Sequence, residues 1–123
     1  MHIITKEQVA NPINTPTGEI ISELVGRSEF SGDATQYSIA HVKIPPQKCS
    51  PKHHHKKSEE SYYMLTGNAR IVIDGEEETL SSGQTCLIKP NQVHQIFNNG
   101  TTDVEFLAIS APAWVPGDTF SNS

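Results

Sequence analysis

The chain has 123 residues, of which 35% are hydrophobic and 19% charged, and its formal net charge is −5. This length and composition predict one globular domain with a single core. The acidic balance disfavours general nucleic-acid binding, which needs a concentrated basic surface, and no apolar run approaches the roughly 20 residues that span a bilayer.

The first part of the chain combines an irregular arm with two predicted strands. Residues 1–18 contain two prolines near their end and are predicted to form an N-terminal arm. Because the arm lacks the apolar segment of a signal peptide, we expect a cytoplasmic protein. Strands are predicted over residues 19–25 and 36–44, and the second ends at two prolines, which lack the amide hydrogen that a sheet requires.

The remainder reads as further short strands separated by turn residues. The pair Asp74-Gly75 is a strong signal for a two-residue hairpin that leads into a strand over 76–80. The last two predicted strands are expected to pair with each other. Apart from the strand after the hairpin, the predicted strands cover residues 60–66, 68–73, 84–88, 94–98 and 104–110.

No stretch has a sustained apolar period of 3.6 residues, so the chain is predicted to be all-β. Short strands at this spacing favour a sandwich or a barrel, here over residues 19–111. Residues 112–123 are rich in proline and glycine and are predicted to form an irregular tail. Trp114 and Phe120 are expected to pack this tail on the domain or on a partner subunit.

Four residues carry the chemistry that the sequence predicts. His53 and His55 are two residues apart, so on a strand they point to the same face. Together with Glu60 and His94 they offer three neutral nitrogen donors and one anionic oxygen. This set suits Fe, Mn, Ni, Cu or Zn better than Ca or Mg, and predicts a divalent transition-metal cofactor.

The same residues resemble the two sequence motifs of the cupin superfamily. The first motif is a glycine, five residues, His-x-His, three or four residues, Glu, six residues and a glycine. Here Gln47 precedes His53 and His55, and Glu60 follows four residues later with Gly67 at the end. The matching segments span roughly residues 37–110.

The second cupin motif resembles the segment GQTCLIKPNQVHQIFN, which runs from Gly83 through His94 to Asn98. Departures from the two motifs fall on turn residues. Gln47 and Asn91 replace glycines, and Lys89 stands where a proline is usual. The resemblance implies a double-stranded β-helix, the cupin jelly-roll barrel, with the four ligands inside it.

The spacing of the three consecutive histidines decides which of them match the first cupin motif. Only His53 and His55 are separated by two, so His54 is expected to face away from the site. Glu60 is preferred to Glu59 because six residues then separate it from Gly67.

Further site residues are predicted around the ligands. Tyr62 and Met64 share a strand face with Glu60 and are expected, with His41, to line a substrate pocket. Hydrogen bonds should also fix the tautomer of each ligand imidazole. The candidates for these bonds are Gln95, Asn98, His41 and Tyr62.

Three functions remain open from the sequence. Four protein ligands leave two positions open on a metal that prefers six, which favours an oxidoreductase of dioxygenase type acting on a small organic molecule. Four lysines, at 48, 52, 56 and 57, are typical of a solvated loop. The alternative is a basic collar, which would favour an isomerase or lyase of an anionic sugar or acid. A non-enzymatic ligand-binding or sensor protein is the third reading. Under all three we expect a homodimer whose partner is a small molecule, with no nucleic acid and no membrane.

Overall fold

The computed structural model describes residues 1–123 and contains two antiparallel β-sheets and three short 3-10 turns. The turns lie at Lys6–Gln8, Glu29–Ser31 and Pro116–Asp118. None of these helical segments has the length and apolar character that crossing a membrane requires. The strands are β1 (Ile13–Asn14), β2 (Ile20–Val25), β3 (Ser38–Ile44), β4 (His53–His54), β5 (Glu59–Thr66), β6 (Asn68–Ile73), β7 (Glu76–Ser81), β8 (Thr85–Ile88), β9 (His94–Phe97), β10 (Val104–Ala111) and β11 (Phe120–Ser121).

The fold is an all-β jelly roll, as the sequence predicts. One sheet has the order β1-β2-β3-β10-β5-β8 and the other the order β11-β4-β9-β6-β7. The two sheets are separate ladders rather than one closed barrel. Alternate residues of each strand face the space between them, which follows from the two-residue period of extended chain.

The hydrophobic core fills that space with side chains from both sheets. Phe106, at the centre of β10, is completely buried and lies opposite Val42 of β3 and Met64 of β5. Ile71 and Ile96 contribute from the other sheet. Burial of these apolar side chains is the main term that holds the sheets face to face.

Turn geometry agrees with the turn residues of the sequence. Asp74 and Gly75 both have positive φ, 48° and 82°, and join β6 to β7 as a two-residue hairpin. Gln47 and Asn91, which replace glycines of the cupin motifs, also have positive φ, 65° and 71°. The backbone therefore keeps the left-handed conformation that glycine favours, in spite of the substitutions.

One expectation about strand pairing is wrong. The segments predicted at 94–98 and 104–110 do not pair with each other, because β9 lies between β4 and β6 while β10 lies between β3 and β5 in the other sheet. The chain between them crosses from sheet to sheet. The side chain of Asn98 holds this crossing by donating hydrogen bonds to the carbonyls of Ile44 and Thr102, each at 2.8 Å.

The C-terminal tail is more regular than predicted. Phe120 and Ser121 form β11 and pair with His54 and His53 of the same chain. The amide of Trp114 donates to Ser38 Oγ at 3.0 Å. The tail thus packs on its own domain and extends the five-stranded sheet, because pairing with β4 satisfies backbone groups that would otherwise be free.

Candidate metal centre

The four predicted ligands meet between the two sheets. His53 of β4 is the cross-strand partner of His94 of β9, and His55 directly follows β4. Glu60 is the second residue of β5 and reaches the same point from the other sheet. The site therefore exists only when the two sheets pack, although each ligand is specified by local spacing.

The donor atoms of these residues lie within 4.8 Å of one another. Glu60 Oε1 is 3.6 Å from His55 Nε2 and 3.3 Å from His94 Nε2. His55, Glu60 and His94 are buried, with 5%, 7% and 1% of their surface exposed, and His53 is half-buried.

Backbone carbonyls orient all three imidazoles. The Nδ1 atoms of His53, His55 and His94 each face a carbonyl oxygen, belonging to Pro51, Asp118 and Gln92 at 2.7, 2.9 and 2.9 Å. A carbonyl can only accept, so each Nδ1 carries the ring hydrogen in the neutral imidazole. The lone pair is then on Nε2, the tautomer that a metal ligand needs.

Three polar atoms at the centre have no partner in the protein. His55 Nε2, His94 Nε2 and Glu60 Oε1 are buried without a hydrogen bond. Burial of unpaired polar atoms is costly, so such atoms in a native fold require a partner. A divalent transition-metal ion satisfies two lone pairs and a carboxylate at once, and the residues present fit it. The second oxygen of Glu60 accepts a hydrogen bond from Ser110 Oγ at 2.9 Å.

Electrostatics of the metal-free cluster favour a bound cation. Burial by itself would raise the pKa of Glu60, but the neighbouring imidazoles of His55 and His94 hold this pKa well below its usual range. Burial would lower the pKa of His55, yet the same carboxylate raises it. Burial, with the neighbouring His94, lowers the pKa of His53 to about 4. An anionic carboxylate among imidazole nitrogens is the donor set that a divalent transition metal requires.

Residues 40–110 match the family model described as the cupin domain, which covers more than half of the chain and contains all four ligands. This chain is a cupin.

Similar proteins agree with this assignment. The cupin is 30% identical over 107 residues to the oxalate-binding protein of Thermotoga maritima, covering 86% of each chain. It is 32% identical over 117 residues to a protein of Methanocaldococcus jannaschii, covering 95% of this chain and 92% of the relative. A Klebsiella pneumoniae structure with a double-stranded β-helix domain superposes with a TM-score of 0.78 at 18% identity, covering 100% and 98% of the two chains.

A cavity of about 280 Å³ opens beside the ligand cluster of this cupin. His53, His55 and Glu60 lie in its wall, and most of the remaining surface is apolar. Neither lysine nor arginine lines it. The apolar part of the wall includes Ile21, Val42, Ala108 and Trp114.

Glu19 is a cavity residue that sequence reasoning missed. It precedes β2, is only 4% exposed, and its carboxyl group lines the cavity with Glu60. Burial, followed by the negative charge of Glu60, raises the pKa of Glu19 to about 8. The carboxyl group is therefore largely protonated at neutral pH. The signal available in the sequence was its alternation with Ile21, which faces the same cavity.

Two of the three expected pocket residues lie elsewhere. Tyr62 does line the cavity, with its ring centroid 6.0 Å from that of His94. Met64 lies two residues further along β5 and is completely buried in the core. His41 faces away from the cavity because its neighbour Val42 faces in, and its Nε2 lies 3.0 Å from Glu105 Oε1.

The register choices place their residues as expected. His54 points away from the cluster, with Nδ1 2.7 Å from Asn122 Oδ1 and its ring stacked on Phe120. Glu59 is exposed. The four side chains proposed to orient the imidazoles do not hydrogen-bond to them. Gln95, for example, donates to the carbonyl of Ser50 at 3.0 Å.

The four lysines do not form a collar around the cavity. Lys52 donates to the carbonyl of Ser123 at 3.3 Å, and Lys56 lies over the ring of Phe120, 4.3 Å from its centroid. None of the four lines the cavity. These lysines therefore do not support an anionic sugar as the substrate.

Proposed function

We propose that this cupin is a metal-dependent enzyme that acts on a small organic molecule, with oxidoreductase chemistry of dioxygenase type as the first candidate. The observation that supports it is the cluster of unpartnered donor atoms in the wall of a largely apolar cavity. His53, His55, Glu60 and His94 would hold the ion. A bound transition metal supplies Lewis acidity and, if redox-active, access to oxygen chemistry.

The other cavity residues would bind the substrate and manage its protons. Ile21, Val42 and Tyr62 present a surface that favours an apolar body over water. Glu19, protonated at neutral pH, can donate a hydrogen bond or a proton to a molecule bound in the cavity.

Phosphorylated sugars fit this cavity poorly. A phosphate dianion is usually recognised by arginine, lysine or clustered backbone amides, and the cavity has no basic side chain other than its histidines. Three acidic residues, Glu19, Glu23 and Glu60, lie in the wall instead. We therefore place the isomerase reading below the others.

A second candidate is the binding or decarboxylation of a small dicarboxylate such as oxalate. The relative from Thermotoga maritima is called an oxalate-binding protein, and the match covers 86% of each chain. Conversion of oxalate to carbon dioxide and formate consumes one proton. Glu19 is a cavity residue that can deliver a proton near neutral pH.

One experiment separates these functions. The protein is purified without a histidine tag, its metal is identified by elemental analysis, and it is then reloaded anaerobically with Fe(II) or Mn(II). Oxygen uptake and carbon dioxide release are measured over a panel of catechols, enediols, thiols and small carboxylates including oxalate. Wild type is compared with His55→Ala and with the matched control His54→Ala, since His54 lies outside the cluster.

The outcomes are distinct. Oxygen uptake by wild type and His54→Ala but not by His55→Ala supports the dioxygenase. Carbon dioxide release from oxalate without net oxygen uptake supports the second candidate. Zinc as the native metal, with no turnover of any compound, refutes both enzymatic readings. Tight binding of oxalate would then support an oxalate-binding protein, and tight binding of another compound the sensor reading.

A further inference from the structure

Asp118, in the C-terminal tail, is buried against the turn that joins two metal ligands. It ends the 3-10 turn Pro116–Asp118 and is only 4% exposed. Its carboxylate accepts hydrogen bonds from three successive backbone amides, those of Lys56, Lys57 and Ser58, at 2.9 to 3.2 Å. These amides form the turn between His55 and Glu60.

The backbone of the same residue contacts a ligand directly. The carbonyl oxygen of Asp118 accepts the Nδ1 hydrogen of His55 at 2.9 Å. One tail residue thus binds the ligand ring through its carbonyl and the following turn through its carboxylate. Charge-assisted bonds from amides to a carboxylate are stronger than neutral ones, which makes this a firm attachment.

Other contacts keep the tail in place around Asp118. Ser58 Oγ donates to the carbonyl of Pro112 at 2.8 Å, and β11 pairs with β4. The indole of Trp114 donates to Thr119 Oγ1 at 2.8 Å, and both residues line the cavity. The tail is therefore part of the wall of the site as well as its support.

We propose that Asp118 is a positioning residue of the metal centre, which fixes the His55 imidazole and the turn to Glu60 in the arrangement that binds the ion. The inference depends on the ligand set and on no particular reaction. It assigns the tail a role in metal affinity that neither cupin motif contains, since Asp118 is 63 residues from His55 in sequence.

A purely structural role for Asp118 makes a different prediction. If the carboxylate only stabilised the fold, its loss would lower the stability of the metal-free protein and leave the affinity of the folded protein unchanged. If it positions His55, the affinity falls in protein that is still folded. Loss of a residue that orients a metal ligand typically weakens binding by about 10- to 100-fold.

The test measures Co(II) and Zn(II) dissociation constants by chelator competition at pH 7.5, in the full chain at a temperature where every variant is folded. Asp118→Ala removes the carboxylate and keeps the carbonyl that contacts His55. Asp118→Asn keeps the side-chain volume and one oxygen. Asn122→Ala is the matched control, because it removes a tail contact to His54, which is not a ligand. Visible absorption of bound Co(II) reports the coordination geometry.

We expect Asp118→Ala to raise the dissociation constants about 10- to 100-fold, Asp118→Asn by a smaller factor, and Asn122→Ala by less than twofold. The Co(II) spectrum should change in the two Asp118 variants only. If Asp118→Ala does not fold, the proposal is tested with Asp118→Asn alone. A dissociation constant at least threefold above that of wild type then supports it.

Affinities within twofold of wild type in folded Asp118 variants would overturn the proposal, as would an equal loss in Asn122→Ala. Wild-type protein that binds neither ion would overturn the metal centre itself, and the proposal with it. Neither result depends on finding a substrate, so failure of the proposed enzyme function is observed separately.

Discussion

Replacing Glu19 with glutamine should stabilise the metal-free protein increasingly as the pH rises. In the folded chain burial raises the pKa of this carboxyl group from 4.5 to about 8. Between these values the unfolded chain is ionised while the folded chain keeps its proton. Stability associated with Glu19 is therefore fully present below pH 4.5 and is lost as the pH rises through about 8. Glutamine is neutral throughout and has no such loss.

The size of the effect follows from the interval between the two pKa values. Each pH unit within it costs about 1.4 kcal/mol, so the full interval corresponds to about 5 kcal/mol. Between pH 5 and pH 7 the free energy of unfolding of Glu19→Gln should gain about 2.5 kcal/mol relative to wild type. The other buried groups of the site titrate in both proteins and largely cancel in the difference.

Urea unfolding of the two metal-free proteins at pH 5, 6, 7 and 8 measures this difference. The control is Glu59→Gln, an exposed carboxylate on the strand that carries Glu60. This substitution removes one carboxylate that lies outside the cavity. Curves for Glu19→Gln and wild type that stay parallel from pH 5 to pH 8 would refute the reasoning, because Glu19 would then titrate alike in both states.

Three further predictions concern the ligands and the core. His55→Ala should lose stoichiometric metal while remaining folded, whereas His54→Ala retains it; one metal per chain in His55→Ala, by elemental analysis, would show a wrong ligand set. Metal affinity should fall as the pH is lowered from 8 to 5, because Glu60 raises the pKa of His55 and protons compete for its Nε2; a constant affinity in competition titrations over this range argues against this. Phe106→Ala should destabilise the protein by about 3–5 kcal/mol in urea unfolding, because Phe106 is completely buried, yet keep its metal stoichiometry; a loss below about 1 kcal/mol contradicts the core assignment.

Local rules explain why much of this protein could be predicted from its sequence. Spacing along extended chain predicts that His53 and His55 share a face and that His54 points away, while Glu60 and His94 follow from the resemblance to the cupin motifs. Turn chemistry is equally local, which is why the Asp74-Gly75 hairpin was predicted correctly. The cupin motifs then supplied the fold that these fragments build.

Strand pairing and the surroundings of the candidate ligands follow from contacts between distant parts of the chain. The sequence contains no local signal that separates β9 from β10, and they lie in different sheets. The groups that orient the imidazoles are backbone carbonyls, including that of Asp118, and any residue type can supply a carbonyl.

For Glu19, the sequence predicts the position of the side chain but not its pKa. Its position on a strand face follows from the sequence, but its pKa depends on burial and on the charge of Glu60, which approaches from another strand. The sequence predicts the four candidate ligands and, through the cupin motifs, the jelly roll that holds them. The protonated acid in the cavity, the apolar wall and the tail that fixes His55 were decided by packing, because they depend on contacts between residues far apart in the chain.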